Sequence, residues 1–209
     1  MRRLGFGLTA FIALLCCSAA RAALIAQFTG TTSSGSDTSY NYNLLFSTQS
    51  AVDRLEAGSG SLNPGAIGSP DFITLYDIGS SGVNGNLVSV TAGAGFGLLL
   101  QNLGINAAQT LPVDDALLSN VTFQYNGPTI TSDTVFPGFS IVVKNNDGTS
   151  LKQFTGQFTD NVGPEINTKV GEIGMVAVPK TSTFIPEPSA LAMGMMAVVG
   201  LVGRRKGRR

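Results

Sequence analysis

The residues best placed for acid–base chemistry are four aspartates. In SPDFITLYDIGSSG, Asp71 and Asp77 bracket the FITLY run, and Asp114-Asp115 stand side by side shortly after Pro112. Two carboxylates held about 5–10 Å apart in a cleft can hydrolyse a glycoside, one as acid and the other as nucleophile or base. The chain offers little else. It has no His, and its two cysteines, Cys16 and Cys17, lie in a leading apolar run. A Ser-His-Asp or Cys-His nucleophile is therefore impossible in the body, and ordinary zinc ligands are missing. There is no G-x-S-x-G elbow, no phosphate-binding loop and no dinucleotide fingerprint.

Adjacent acids in an extended chain point to opposite sides, and Asp71 and Asp77 fall at the ends of a strand. All four therefore read as solvated turn and edge residues. The expectation is no catalytic residue, no metal and no cofactor. Asn145, Asn146, Asp147 and Gly148 are faintly similar to a calcium loop, but Val143 would occupy its first ligand position, and a plain turn fits better. Asn120-Val121-Thr122 matches a glycosylation sequon inside an expected strand.

The elements that would carry these residues are short strands. Candidates are Leu24–Thr29, Tyr40–Ser47, Asp71–Ile78, Asn86–Thr91, Gly97–Gln101, Ser119–Tyr125, Gly138–Lys144, Leu151–Phe158 and Glu172–Val178. In NVTFQY, Val121, Phe123 and Tyr125 share one face and Thr122 and Gln124 the other, the period of a half-buried strand. YNYNLLF likewise aligns Tyr40, Tyr42, Leu44 and Phe46. Asn84-Gly85, Asn126-Gly127 and Asp147-Gly148 are hairpin-type turn signals, while Pro137-Gly138 marks a looser turn or a strand end. IVVKNNDGTSLKQF reads as a strand–turn–strand hairpin. AVDRLEAG has room for a two-turn helix, and Leu98–Leu100 for a fully buried strand or a helix start. The expected fold is all-β, an antiparallel β-sandwich or jelly-roll spanning 23–180.

Charge divides the chain. Between Ala23 and Ile185 there are five basic residues (Arg54, Lys144, Lys152, Lys169, Lys180) against twelve acidic ones, a balance of 5 − 12 = −7. A nucleic-acid partner would need the opposite sign. The ends are basic. Arg2 and Arg3 precede an uncharged run from Leu4 to Cys17, and Ala20-Arg21-Ala22 places small residues at −3 and −1 of a cut before Ala23. Residues 1–22 thus have the order of a secretory signal peptide, with Ala20 and Ala22 as its cleavage residues. Its removal would leave a body without thiols.

At the other end, Pro186-Glu187-Pro188 holds an extended turn within a 181–189 linker. Residues 190–203 carry no charge, and Arg204, Arg205, Lys206, Arg208 and Arg209 close the chain. Fourteen helical residues rise about 21 Å, short of the roughly 30 Å hydrocarbon core, so 190–203 is a short transmembrane helix assisted by snorkelling arginines. The basic residues 204–209 would stay cytoplasmic and the body outside.

The segment PEPSALAMGMMAVVGLVGRRKGRR resembles the PEP-CTERM sorting signal of Gram-negative and related bacteria, a tail also labelled by reference to ice-binding proteins. The resemblance implies export by the general secretion machinery, retention by the tail and processing near the motif by an exosortase, a membrane-embedded transpeptidase-like enzyme. Pro186, Glu187 and Pro188 would be the recognition element and Arg204–Arg209 the retention charge. SPDFITLYDIGSSG also resembles a D-F-x-T-x-Y-D-x-G stretch found in the bodies of such proteins, matched by Asp71, Phe72, Thr74, Tyr76, Asp77 and Gly79.

The leading functional expectation is a non-enzymatic protein of the cell surface or extracellular matrix, membrane-anchored until processed. The alternative is a glycan-binding or adhesion module whose partner is exopolysaccharide. With no Trp and four Tyr the stacking residues are few. Phe72, Tyr76 and Tyr125 are the contributors on offer, though core roles suit them too. A carboxylate-dependent glycoside hydrolase is the remote third reading.

Overall fold

The computed structural model describes residues 23–48, 52–79, 86–144, 148–162 and 166–180. The expected signal segment, linker, apolar helix and basic tail lie outside the described residues, as do Asn84-Gly85 and Asn145–Asp147. Ten strands make up the described chain: β1 Ala23–Ser34, β2 Asp37–Ser47, β3 Asp53–Arg54, β4 Phe72–Gly79, β5 Leu87–Thr91, β6 Phe96–Gln101, β7 Ser119–Tyr125, β8 Thr134–Lys144, β9 Thr149–Asp160 and β10 Lys169–Pro179. There is no helix among the described residues.

Every strand pairing is antiparallel. One sheet runs β1-β2-β8-β5; the other runs β10-β9-β4-β7-β6, with β3 pairing the far end of β9. Inward residues of both sheets merge in a single sandwich-like core. It includes Leu24, Tyr40, Tyr42, Leu44 and Phe46 from β1 and β2, and Ile73, Leu75, Val121, Phe123 and Phe158 from the second sheet. The burial of β2 alternates along its length, as the YNYNLLF pattern requires. Aromatic rings join the layers edge-on. Phe123 meets Phe139 at 4.9 Å, and Phe96 meets Tyr125, Phe136 and Phe139, each at 5.1 Å. Such pairs add about 0.5–1.5 kcal/mol beyond area burial.

The order of strands corrects several expectations from sequence. β8 and β9 do not form a hairpin, because they belong to different sheets. The Asn126-Gly127 turn also leads from the second sheet, at β7, to the first, at β8. Turn chemistry specifies a reversal of direction but not the sheet that receives the next strand. β1 and β2 form a tight hairpin turning at Gly35-Ser36, where Gly35 takes a left-handed φ of 62°. Its Thr- and Ser-rich arms, Thr31 to Ser34, pair with Tyr40 to Asp37.

Pro137-Gly138 lies inside β8. It sits at the register shift between Tyr42/Phe139 and Leu44/Phe136, where a bulge spares Pro137 from donating and Gly138 takes φ 88°. AVDRLEAG supplies no helix in its described part, because Asp53–Arg54 pair with Asp160 and Thr159 and Leu55 bridges Ile130. Phe96–Gln101 is a strand but not fully buried, since Leu98 and Leu100 are exposed.

Over β4, β7 and β9 the outer face of the second sheet is polar, yet buried. Thr74 and Tyr76 of β4, Thr122 of β7, and Thr155, Gln157 and Thr159 of β9 are all out of water. Segment 102–118 folds over this face. The amides of Ala107 and Ala108 donate to Thr155 Oγ1 and Gln157 Oε1, and the Gly65 amide reaches the same Gln157 oxygen at 3.0 Å. Alternation along NVTFQY marks one apolar face, and it cannot tell that loops will cover the other.

Candidate functional site

Strand β4 organises this covered face. Its period-two alternation sends Ile73 and Leu75 into the shared core and leaves Phe72, Thr74 and Tyr76 on the opposite side. Thr74 Oγ1 donates to the Ile105 carbonyl at 2.8 Å and lies 2.8 Å from Thr122 Oγ1. Tyr76 Oη lies 3.0 Å from the Ile105 carbonyl, 2.9 Å from Asn106 Oδ1 and 3.1 Å from Thr155 Oγ1. Burial pushes this phenol up to about 12, so it serves as a neutral hydroxyl. These contacts fasten segment 102–118 to the sheet.

At the C-terminal end of β4, Asp77 adopts φ 55°. Its carboxylate accepts the Asp115 amide at 3.0 Å and Lys152 Nζ at 2.8 Å. Its own amide donates to Asn120 Oδ1 at 2.7 Å, and Asn120 Nδ2 donates to Asp114 Oδ1 at 2.8 Å. Asp77, Asp114 and Asp115 are thus drawn into one network, which orders the 102–118 cover. Asp114 also accepts the Gly104 amide. Asn120 is buried and engaged on both sides of its amide, so the sequon is closed to modification in the folded protein.

Asp71 stands at the opposite end of β4, and here the arrangement is unlike anything expected from sequence. Its side chain and that of Lys169 are both fully excluded from water, with Lys169 Nζ 2.9 Å from Asp71 Oδ1. The same Nζ lies 2.9 Å from Glu56 Oε1 and 2.6 Å from Thr159 Oγ1. Asp71 Oδ2 accepts the Glu56 backbone amide at 2.8 Å, and the Thr159 hydroxyl lies 3.0 Å from both Asp71 oxygens. Arg54 Nε holds Glu56 Oε2 at 2.9 Å, while its remaining nitrogens bond to Asn161 and Asn167.

Burial dominates at Asp71 and pushes its carboxyl up to about 7, against the opposing pull of Lys169 and of its hydrogen bonds. At Glu56 burial also pushes upward, but the hydrogen bonds and charges of Lys169 and Arg54 outweigh it and hold the group below its ordinary value. The two carboxyl groups are therefore shifted in opposite directions, Asp71 upward and Glu56 downward. The residue preceding β4, strands β9 and β10, and the segment after β3 each contribute one member. Glu56, Thr159 and Lys169 had no local signature, because register alone places Lys169 opposite Thr159.

The expectation of solvated aspartates is therefore corrected for Asp71 and Asp77, which are 0% and 3% exposed and each paired with a lysine. Phe72, Tyr76 and Tyr125 are equally buried, so they form no exposed stacking face. Each matched residue of the D-F-x-T-x-Y-D-x-G stretch has a place in this packing. Gly79 completes it, lying against Asn86 and Leu87. Among the described residues no group of three or more acidic, His or Cys side chains is arranged to hold a metal ion. No helix among them is long and apolar enough to cross a membrane. Pro186–Pro188, Arg204–Arg209, Ala20 and Ala22 lie outside the described residues. Comparison with known proteins finds no matching family model, no matching curated protein and no matching solved structure.

Proposed function

We propose that this chain is a non-enzymatic exported protein of the cell surface or extracellular matrix, sorted through its C-terminal tail. The observation that carries the reading is the order of parts in residues 186–209: Pro-Glu-Pro, an uncharged run, then five basic residues in six. A signal-like segment with the same orientation stands at the other end, and the body between them is acidic and all-β. In this reading the secretion machinery delivers the body, a helix over 190–203 holds it at the membrane with 204–209 inside, and an exosortase-like enzyme cuts near Pro186–Pro188. The finer architecture, a sandwich flanked by a signal helix and a transmembrane helix, belongs to the same proposal, as does contact with exopolysaccharide.

Intact-mass measurement on protein from the native host, together with fractionation, tests it. The expected product begins at Ala23 and lacks the residues after the motif, and it is recovered from the envelope or the matrix. Full-length polypeptide in the cytosol would overturn the reading.

A further inference from the structure

The Asp71–Lys169 centre is more than a buried ion pair needs. A buried pair gains little over apolar packing, and this one adds a second carboxylate, a hydroxyl and an aimed backbone amide. We propose that Lys169 Nζ and the Asp71 carboxyl condense to an intramolecular amide, with Glu56 as the proton-transfer group.

The parts fit that reaction one by one. Transfer of a proton from the ammonium to Asp71 gives a neutral amine beside a neutral acid, with both side chains held out of water. The burial-raised carboxyl of Asp71 supports that exchange. Nζ attacks Asp71 Cγ, and negative charge develops on Oδ2, which already receives the Glu56 backbone amide and lies beside the Thr159 hydroxyl. The Glu56 carboxylate, 2.9 Å from Nζ, takes the amine proton and passes it to the departing Oδ1 hydroxyl. One N–C bond forms, one C–O bond breaks and one water leaves. The reaction needs no oxidant, reductant or activating group. Packing holds the partners together, which replaces the entropy cost of a bimolecular condensation. Arg54 fixes Glu56 through its other oxygen and keeps it ionised.

The bond would join the residue preceding β4, the central strand of the second sheet, to the first residue of its edge strand β10. It would close a loop of 98 positions in a body whose sequence has no cysteine after residue 17.

Mass spectrometry of the purified full-length chain decides the matter. The expected intact mass is lighter by one water than the sequence between the observed termini requires. The tryptic map should contain one branched peptide carrying both Asp71 and Lys169, without cleavage after Lys169. Glu56→Gln keeps the shape of the side chain and should give a folded protein of unreduced mass, and Lys169→Arg should do the same. An unreduced wild-type mass with Lys169 in a free peptide would overturn the proposal. So would a water loss that maps to the Asp147-Gly148 step. A Glu56→Gln protein that forms the bond as the wild type does would overturn the role given to Glu56. The measurement requires folding alone, so its outcome is independent of export and sorting.

Discussion

Asp53 and Asp160 stand directly opposite one another across the β3–β9 ladder, two carboxylates facing each other in a strand pair. Asp53 is almost wholly buried, and burial first, then the Asp160 charge, raises its pKa above the ordinary value of 3.8. The folded chain therefore holds the Asp53 proton more tightly than the unfolded chain does. Its contribution is fully present below the unfolded value and is lost as pH rises through the folded one. Asp53→Asn removes the like-charge contact, and we expect a gain of about 0.5–1 kcal/mol near neutral pH. Urea melts at a series of pH values above 4 should show a shallower decline for the variant. An unchanged slope would remove Asp53 as its source.

Asp77 does two jobs that substitutions can separate. Asp77→Asn keeps an oxygen for the Asp115 amide and tolerates the left-handed backbone, losing only the ion pair to a partly exposed Lys152. A loss of at most about 1 kcal/mol is expected. Asp77→Ala also strands the Asp115 amide and puts a poorly suited residue at φ 55°, for a further cost of about 1–3 kcal/mol. Equal stabilities for the two variants in chemical denaturation would contradict this account.

Segment 102–118 lies on the sheet only because two glycines let it approach. A Cβ at Gly171 would overlap the Ala108 carbonyl, and one at Gly104 would overlap the Tyr76 ring. Gly171→Ala should cost about 1–3 kcal/mol through this overpacking. Hydrogen exchange should then quicken at Ala107 and Ala108, whose amides depend on Thr155 and Gln157, while β1 and β2 keep their protection.

Tyr42 is 1% exposed, and its hydroxyl finds no hydrogen-bond partner among the described residues. Tyr42→Phe preserves the ring and deletes a buried group that gains nothing for its lost hydration. Thermal unfolding should show an unchanged or higher midpoint, equivalent to roughly 0–2 kcal/mol. A marked drop would reveal a bond to that hydroxyl.

The nine strands expected from sequence all exist, though several of their ends move, because each rests on apolar alternation or a β-branched run that local chemistry makes visible. The layer each strand joins was not legible. Asn126-Gly127 and Asp147-Gly148 look like hairpin turns, yet the strands on either side of each belong to different sheets. The covered polar face was hidden for a related reason. Thr74, Thr122, Thr155 and Thr159 look solvent-facing along their own strands, and only segments distant in sequence bury them. Asp71 caught attention through its motif, but its lysine lies 98 positions away, where register and not spacing decides the meeting.

Strand β10 ends at Pro179, a few residues before the expected tether, and it lies at the rim of its sheet. A pull transmitted through that tether would act like a zipper slider, undoing the Pro179–Thr149 rung first and the Lys169–Thr159 rung last. The opening would run along the strand toward Lys169, the residue ion-paired with Asp71. Force arriving there passes into the middle of the sheet instead of detaching its margin, so the centre at Lys169 is placed where a mechanical stop would be most useful.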